Sequence, residues 1–480
     1  MQQLTLPHIS VSSNVASPSR SYRETAKAIL TQNLDFHDQQ SGYASHNFHA
    51  FPAKFPPQLP QIFITQLTQP GDAVLDPMMG SGTTIVEAYL SGRHAYGLDI
   101  DPLALRIAQI KVSPLDVDQV ASTSEMIVSH ARRSVATESE MLWNYLQSRY
   151  DDKSKAFIDY WFARETQLEL VALIREIEQL TDVQIKTFFE VVFSAIIITK
   201  TGGVSLAFDL AHTRPHRAKI VFGKDGDCLY NHGDSLEASR AALLTKTLRS
   251  AIDEFAKRVH ANMRGILLLE AQRIPAVLQA GDAQSMPIAS SSVDLIVTSP
   301  PYASNAIDYM RAHKFALVWL GYSVDSLTQK RREYIGGEGA LSNYLEPLSG
   351  KSAHIVAEIA TRDASKAVSL HRYYSEMTRV IKEMWRVLKP GKAAIIVVGS
   401  SIIRERDIEI ADCLADIGQQ QGFELLSIGV RNIDRNRRML PASTKRNSRS
   451  QIQQRMHEEY VIGLFKPEPR SKGGACVTSV

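Results

Sequence analysis

The stretch Asp76-Pro-Met-Met-Gly80-Ser-Gly82-Thr83-Thr84 constrains the fold more than any other in the chain. A short apolar run, AVLD, leads into it; a run with helical period, TTIVEAYL, follows; and a second apolar run, HAYGLDI, contains Asp99 near its end. A strand, a glycine turn, a helix and another strand in such close order make a β-turn-α-β unit, the opening of a doubly wound parallel sheet. Sheets of this kind bind ligands outside the carboxyl ends of their strands, so the turn lies where a cofactor would sit. Its glycines allow the backbone close to a bound group, and the helix start beyond offers free N–H donors to an anionic part of it. Asp99 stands where an acid accepts ribose hydroxyls in dinucleotide folds. The same residues also satisfy a bare tight turn, with Asp99 only leading into a helix capped at Asp101-Pro102. Neither G-x-x-x-x-G-K-[ST] nor G-x-G-x-x-G occurs in the turn, which disfavours triphosphate hydrolysis and a nicotinamide cofactor.

A second unusual strand end is Asp294-Leu-Ile-Val-Thr298-Ser299-Pro300-Pro301-Tyr302. Paired prolines cannot continue a central strand, so they fix the backbone and expose the Pro300 carbonyl. Ser299 adds a hydroxyl beside it, and Tyr302 a flat face for a planar base. Two acceptors and one aromatic wall suit an aromatic amine. A bare Pro-Pro-Tyr is more simply a strand terminator whose tyrosine joins the core. Here Gly281-Asp282-Ala283 stands upstream, another acid at an expected strand end, and the combination is less common than either part.

With 480 residues, 44% of them hydrophobic, the chain has the length for several domains or one enlarged domain, and wholesale disorder is excluded. Lys plus Arg number 54 against 51 Asp plus Glu, a balance too even to prove a nucleic-acid partner. Cys228, Cys413 and Cys476 fall in no metal or disulfide spacing, which fits a reducing cytoplasm. The first thirty residues lack the apolar core of a signal peptide, and no run of eighteen apolar residues follows, so export and membrane spanning are not expected. Residues 1–40, rich in Ser, Gln and Asn, read as a flexible arm. Residues 115–279 show mainly helical period, interrupted by a basic, loop-like stretch at 211–234. Within it His212 and His216 read as a solvated or phosphate-facing pair, and no metal site is expected. Strand patterns return at 293–302, 392–401 and 458–466; Lys389-Pro390-Gly391 reads as a turn, and Trp161, Trp319 and Trp385 fall on apolar helical stripes as core residues.

Taken together, LDPMMGSGTT, TSPPY and the upstream HNFHAFPAKFPPQLPQIFI resemble three motifs of the DNA amino-methyltransferase family, which uses S-adenosylmethionine. The resemblance covers roughly residues 45–112 and 280–467. It implies an α/β, Rossmann-like methyltransferase fold with a mostly parallel seven-stranded sheet and a large, mainly helical insertion. Residues 41–114 and 280–467 would form the catalytic domain, 115–279 the insertion and possible target-recognition region, and 468–480 a tail. It also implies that Asp76, Met78, Gly80, Ser81, Gly82 and Thr83 line the cofactor, with Lys54 and Phe55 at its carboxylate end, Asp99 and Ile100 at its ribose, and Asp282, Ala283 and Thr298 completing the pocket. Ser299, Pro300, Pro301 and Tyr302 would hold the target base.

Ser299 stands where the commonest adenine enzymes carry Asp, which favours cytosine N4 over adenine N6. Carbon-5 methylation needs a thiolate, usually in a Pro-Cys pair, and no cysteine here follows a proline. An RNA guanine-N2 methyltransferase uses a similar Pro-Pro-aromatic edge, and a nucleic-acid-binding subunit with a degenerate fold is the alternative outside catalysis. Duplex DNA is the expected partner, with a separate restriction endonuclease as a possible second. Candidate DNA contacts are Arg214 and Arg217, Arg331 and Arg332, and Arg435, Arg437 and Arg438 in the basic stretch 431–449.

Overall fold

The computed structural model describes residues 20–51, 54–199, 201–208, 210, 215–232, 241, 244–269, 274–303, 308–336, 345–433 and 458–469. Seven strands form one sheet: β1 (Ala73–Asp76), β2 (His94–Asp99), β3 (Val277–Ala280), β4 (Val293–Thr298), β5 (Leu388–Gly399), β6 (Glu424–Asn432) and β7 (Glu458–Lys466). Their order is β6-β7-β5-β4-β1-β2-β3. Neighbours pair in parallel except β7, which runs antiparallel to both β5 and β6. The chain builds outward from β1 through β2 to β3, then returns to lay β4 on the other flank of β1. That reversal between β1 and β4 is where an open α/β sheet forms its ligand crevice.

The central strands read as continuous apolar runs because both sheet faces are covered. All six residues of β4 are buried, and Leu75 of β1 sits in register with Ile296. One face packs against α1 (Tyr22–Leu30), α2 (Gln58–Leu67) and α3 (Thr83–Leu90), through Ile29, Phe63 and Val86. On the other, Tyr374, Met377 and Ile381 of a long helix, 364–387, meet Leu414 and Ile417 of helix 410–420.

Between β2 and β3 come α4 (Pro102–Lys111), α5 (Val117–Thr137), α6 (Ser139–Arg149), α7 (Asp152–Trp161), α8 (Arg164–Glu178), α9 (Val183–Ile197) and α10 (Ala251–Ile266). After β4 follow α11 (Tyr309–Leu317) and α12 (Val324–Arg331). The inserted helices do not form an isolated core. Phe188, Phe189 and Phe193 of α9 pack into one cluster with Ile107 of α4, Phe315 of α11 and Trp319. Trp319 is fully buried, with the rings of Tyr150 and Phe162 edge-on at 5.8 and 5.3 Å. Trp161 and Trp385 are half-buried against the same kind of apolar surface.

Two local expectations need correction. The basic stretch is not all loop: Ala207–Phe208 pairs with His216–Arg217, and Ile220–Phe222 pairs with Cys228–Asn231 and Thr245–Thr247. Val221 supplies the reason, burying itself with Leu206, Ala218 and Leu248 in a small core of their own. At Lys389-Pro390-Gly391 the chain stays within β5, but pairing with β4 breaks between Leu388 and Ala393, where Gly391 takes φ +75°. No helix of the described residues is long and apolar enough to cross a membrane.

Candidate functional site

The turn after β1 is shaped by backbone conformations that suit glycine. Gly80 has φ +49° and Gly82, which precedes α3, has φ +76°. A Cβ on Gly82 would lie 2.8 Å from Cβ of Ala108, so the close approach of α3 to α4 also requires glycine. Beneath the turn, the fully buried Lys111 donates from Nζ to the Ser81 carbonyl at 2.8 Å, and burial pushes its pKa far down. Sequence reading gave no sign of this lysine, which looks there like any helix end.

Asp76 closes β1 with its carboxyl inward. Oδ1 accepts from Thr298 Oγ1 at 2.7 Å and from the Met78 amide at 3.2 Å. The first of these bonds joins the cofactor-type turn to the strand that ends in Ser299-Pro300-Pro301, across more than two hundred residues of chain. Asp99 accepts the Gly80 amide on one oxygen and the Asp101 amide on the other, both at 2.8 Å. Desolvation raises Asp76 to about 6, and desolvation followed by the charge of Asp101 raises Asp99 to about 7. Burial favours the uncharged form of both acids.

Residues 43–51, with Lys54 and Phe55, form another wall. His46 Nε2 and the Tyr43 hydroxyl both meet Glu87 Oε1 of α3 at 2.7 Å, docking the segment on the helix. The Lys54 ammonium donates to the carbonyls of His46 and His49, and desolvation lowers it to about 8. Phe51 stacks on Tyr309 with ring centroids 5.2 Å apart.

These walls enclose one cleft, whose empty space amounts to about 920 Å³ when counted out into the solvent at its mouth. Lys54, Phe55, Asp76, Met78, Gly80, Ser81 and Thr83 line it, as do Asp99, Ile100, Asp282 and Ala283. Ser299 and Pro301 line it too, so the glycine turn and the Ser-Pro-Pro strand end share one space. Sequence reasoning assigned no role in the site to Phe51, Asp101, Tyr309, Glu333, Tyr334 and Ile335, which are among the further residues of the lining. Asp101 carried a signal as a helix cap, and Phe51 lay within the motif upstream of the glycine turn.

Comparison with known proteins matches residues 12–110 to a DNA methylase family model. The type II methyltransferase M.MvaI of Kocuria varians is 24% identical over 455 residues, covering 90% of this chain and 93% of its own. M.BsoBI of Geobacillus stearothermophilus is 20% identical, covering 80% and 79%. In sequence, then, the chain is similar to DNA amino-methyltransferases. Among solved structures, a TehB-like SAM-dependent methyltransferase of Corynebacterium glutamicum covers 85% of this chain and 86% of its own at 9% identity, with a TM-score of 0.26.

The cofactor of this methyltransferase is S-adenosylmethionine, and the cleft fits it. Desolvated carboxyls at Asp76 and Asp99 favour a ligand carrying positive charge, as a sulfonium does. Each Asp99 oxygen has accepted one amide and keeps lone-pair capacity for ribose hydroxyls. Lys54 provides a cation for a carboxylate.

The remaining expected residues lie elsewhere around the site. Gly82 acts through the backbone, and Thr298 lies behind Asp76 as its hydrogen-bond donor. Tyr302 is buried, its hydroxyl donating to Glu459 Oε1 at 3.2 Å, and Glu459 pairs with Arg431. Arg217 is held between the rings of Tyr160 and Tyr230, 4.8 and 5.2 Å away. Arg331 pairs with Asp308 at 2.5 Å, and Arg332 is exposed. Arg214, His212, Arg435, Arg437 and Arg438 lie outside the described residues. Among the described residues no group of His, Cys, Asp and Glu could hold a metal ion.

Proposed function

We propose that this DNA methyltransferase modifies the exocyclic N4 amine of cytosine in duplex DNA, as the protecting member of a restriction–modification pair. The observation that carries the reading is Ser299, a hydroxyl rather than a carboxylate, lining the same cleft as Gly80. Kinship with type II methyltransferases supports the restriction–modification role.

When bound, S-adenosylmethionine supplies an electrophilic methyl group. The task left to the protein is to make a poor nucleophile attack, because the amine lone pair of cytosine is delocalised into its ring. Ser299 Oγ and the Pro300 carbonyl accept hydrogen bonds from the two amine N–H groups, which favours a pyramidal nitrogen whose lone pair points into the cleft; the one proton the amine sheds on methylation passes to solvent. Orientation then provides most of the acceleration, and no strong base is needed. A base inside a duplex cannot reach this position, so it is extruded at a cost of a few kcal/mol. Its landing surface is the aromatic edge that includes Tyr302. Ser299 and Pro301 line the cleft, whereas Pro300 and Tyr302 are buried beside it in the free protein, so the Tyr302 ring must turn or be uncovered when the base arrives.

Residues 115–279 are proposed to read the target, together with the basic stretch 431–449; residues 22–30 of the expected arm are instead a helix packed on the sheet. Arg431, at the start of that basic stretch, pairs with Glu459, which accepts the Tyr302 hydroxyl. Arg331 and Arg332, on the helix that follows α11, are a second proposed phosphate contact. Unpaired Cys228 and Cys413 support a cytoplasmic setting.

The test is to incubate the protein with duplex DNA and methyl-labelled S-adenosylmethionine, digest to nucleosides and separate them. Label in N4-methylcytosine is expected. Label in N6-methyladenine would move the target to adenine, and label in transfer RNA but not DNA would favour the guanine-N2 reading.

A further inference from the structure

Asp101 does more than cap a helix. Its Oδ1 accepts the Leu103 and Ala104 amides at 2.7 and 3.1 Å, starting α4. Its Oδ2 takes two further contacts from residues more than two hundred positions away: His313 Nδ1 of α11 at 2.6 Å and the Tyr334 hydroxyl at 2.8 Å. His313 is fully buried and Asp101 nearly so. Burial alone would raise the Asp101 carboxyl, but the His313 imidazole and these hydrogen bonds hold it below the usual carboxylate value.

Tyr334 belongs to a short irregular stretch, residues 333–336, that follows α12. Glu333, Tyr334 and Ile335 all line the cofactor cleft. The stretch is fastened twice: Tyr334 to Asp101, and the Gly336 amide to Glu376 Oε2 at 2.8 Å. Gly336 itself takes φ +68°, a conformation that suits glycine. One fastening point, Asp101, lies two residues beyond Asp99 and holds it through the Asp101 amide.

We propose that Tyr334 is a positioning residue for the methyl donor, acting through Asp101 to hold residues 333–336 as a strap against the cleft. The proposal rests on the reading of this cleft as the donor site. With the hydroxyl in place the strap completes the cleft wall before ligand arrives. Without it, the wall spends part of its time displaced, and apparent affinity falls by the fraction of molecules still competent. A hydroxyl-to-carboxylate bond in a buried setting is strong enough for roughly a tenfold effect.

The test compares wild type, Tyr334→Phe and Glu376→Gln by calorimetric titration with S-adenosylhomocysteine and by hydrogen exchange. Tyr145→Phe, which removes a hydroxyl from Glu178 in the insertion, is the control for loss of a phenol. Tyr334→Phe is expected to bind about tenfold more weakly, with faster exchange confined to the strap and its neighbours, and a raised KM for S-adenosylmethionine at unchanged kcat. Glu376→Gln should move the same way, by less. Tyr334→Phe binding within twofold of wild type would overturn the proposal. So would exchange that rises equally across β4 and β5, because Tyr334 would then be a general structural support. Failure of the wild type to bind S-adenosylhomocysteine would instead remove the donor-site reading, and the proposal with it.

Discussion

The raised pKa of Asp99 makes donor binding depend on pH in a definite direction. Ordinarily near 3.8, this carboxyl is pushed to about 7 by burial and by the charge of Asp101. Ribose hydroxyls donate to the ionised form, so bound ligand holds Asp99 ionised and protons compete with ligand. At pH 8 about one tenth of the free carboxyl is protonated, and at pH 6 about nine tenths, so affinity should fall about tenfold between them, or about 1.4 kcal/mol. Asp76, raised to about 6, steepens the fall at the acid end. The stability of the unliganded protein has the opposite slope. The folded state binds the extra proton between about 4 and 7, so this contribution is present at low pH and lost as pH rises through 7. The assay is calorimetric titration with S-adenosylhomocysteine at pH 6, 7 and 8, in two buffers of different ionisation enthalpy. Proton release near pH 7 is expected, and Asp99→Asn should bind weakly with a flatter profile. An affinity independent of pH over this range, or proton uptake on binding, would refute the reasoning.

Three further outcomes follow from the packing. Gly82→Ala forces an alanine into φ +76° with its Cβ against Ala108, and should cost at least about 1–3 kcal/mol, read as a lower melting temperature. Thr298→Val keeps the shape but removes the hydroxyl donor to Asp76, so the Asp76 carboxyl should rise further and the KM for S-adenosylmethionine increase roughly tenfold at pH 6. Trp319→Ala empties the centre of the helical core and should destabilise by about 3–5 kcal/mol in denaturant unfolding.

The glycine turn was legible in the sequence because its chemistry is local. AVLD must end, TTIVEAYL must begin, and glycines must bridge them. The partnership of that turn with Ser299 was legible only through resemblance, since nothing in either segment encodes β1 lying beside β4. Helical period was legible across residues 115–279, but not that Phe193 of α9 and Phe315 of α11 bury themselves together. Asp101 read as a cap because its contacts with Leu103 and Ala104 are local. Its other two partners arrive from His313 and Tyr334, which carry no pattern of their own. Arg217 illustrates the converse: a basic stretch suggests phosphate, yet two tyrosine rings already cover this side chain.

The central claim is that one cleft brings a methyl donor at Gly80 to an amine held at Ser299. Single-molecule sequencing of DNA from a methylation-free host tests it most directly, comparing cells expressing the wild type with cells expressing Ser299→Ala. N4-methylcytosine at one fixed sequence motif is predicted for the wild type and should be strongly reduced for the variant. Adenine methylation, or full modification by Ser299→Ala, would contradict it.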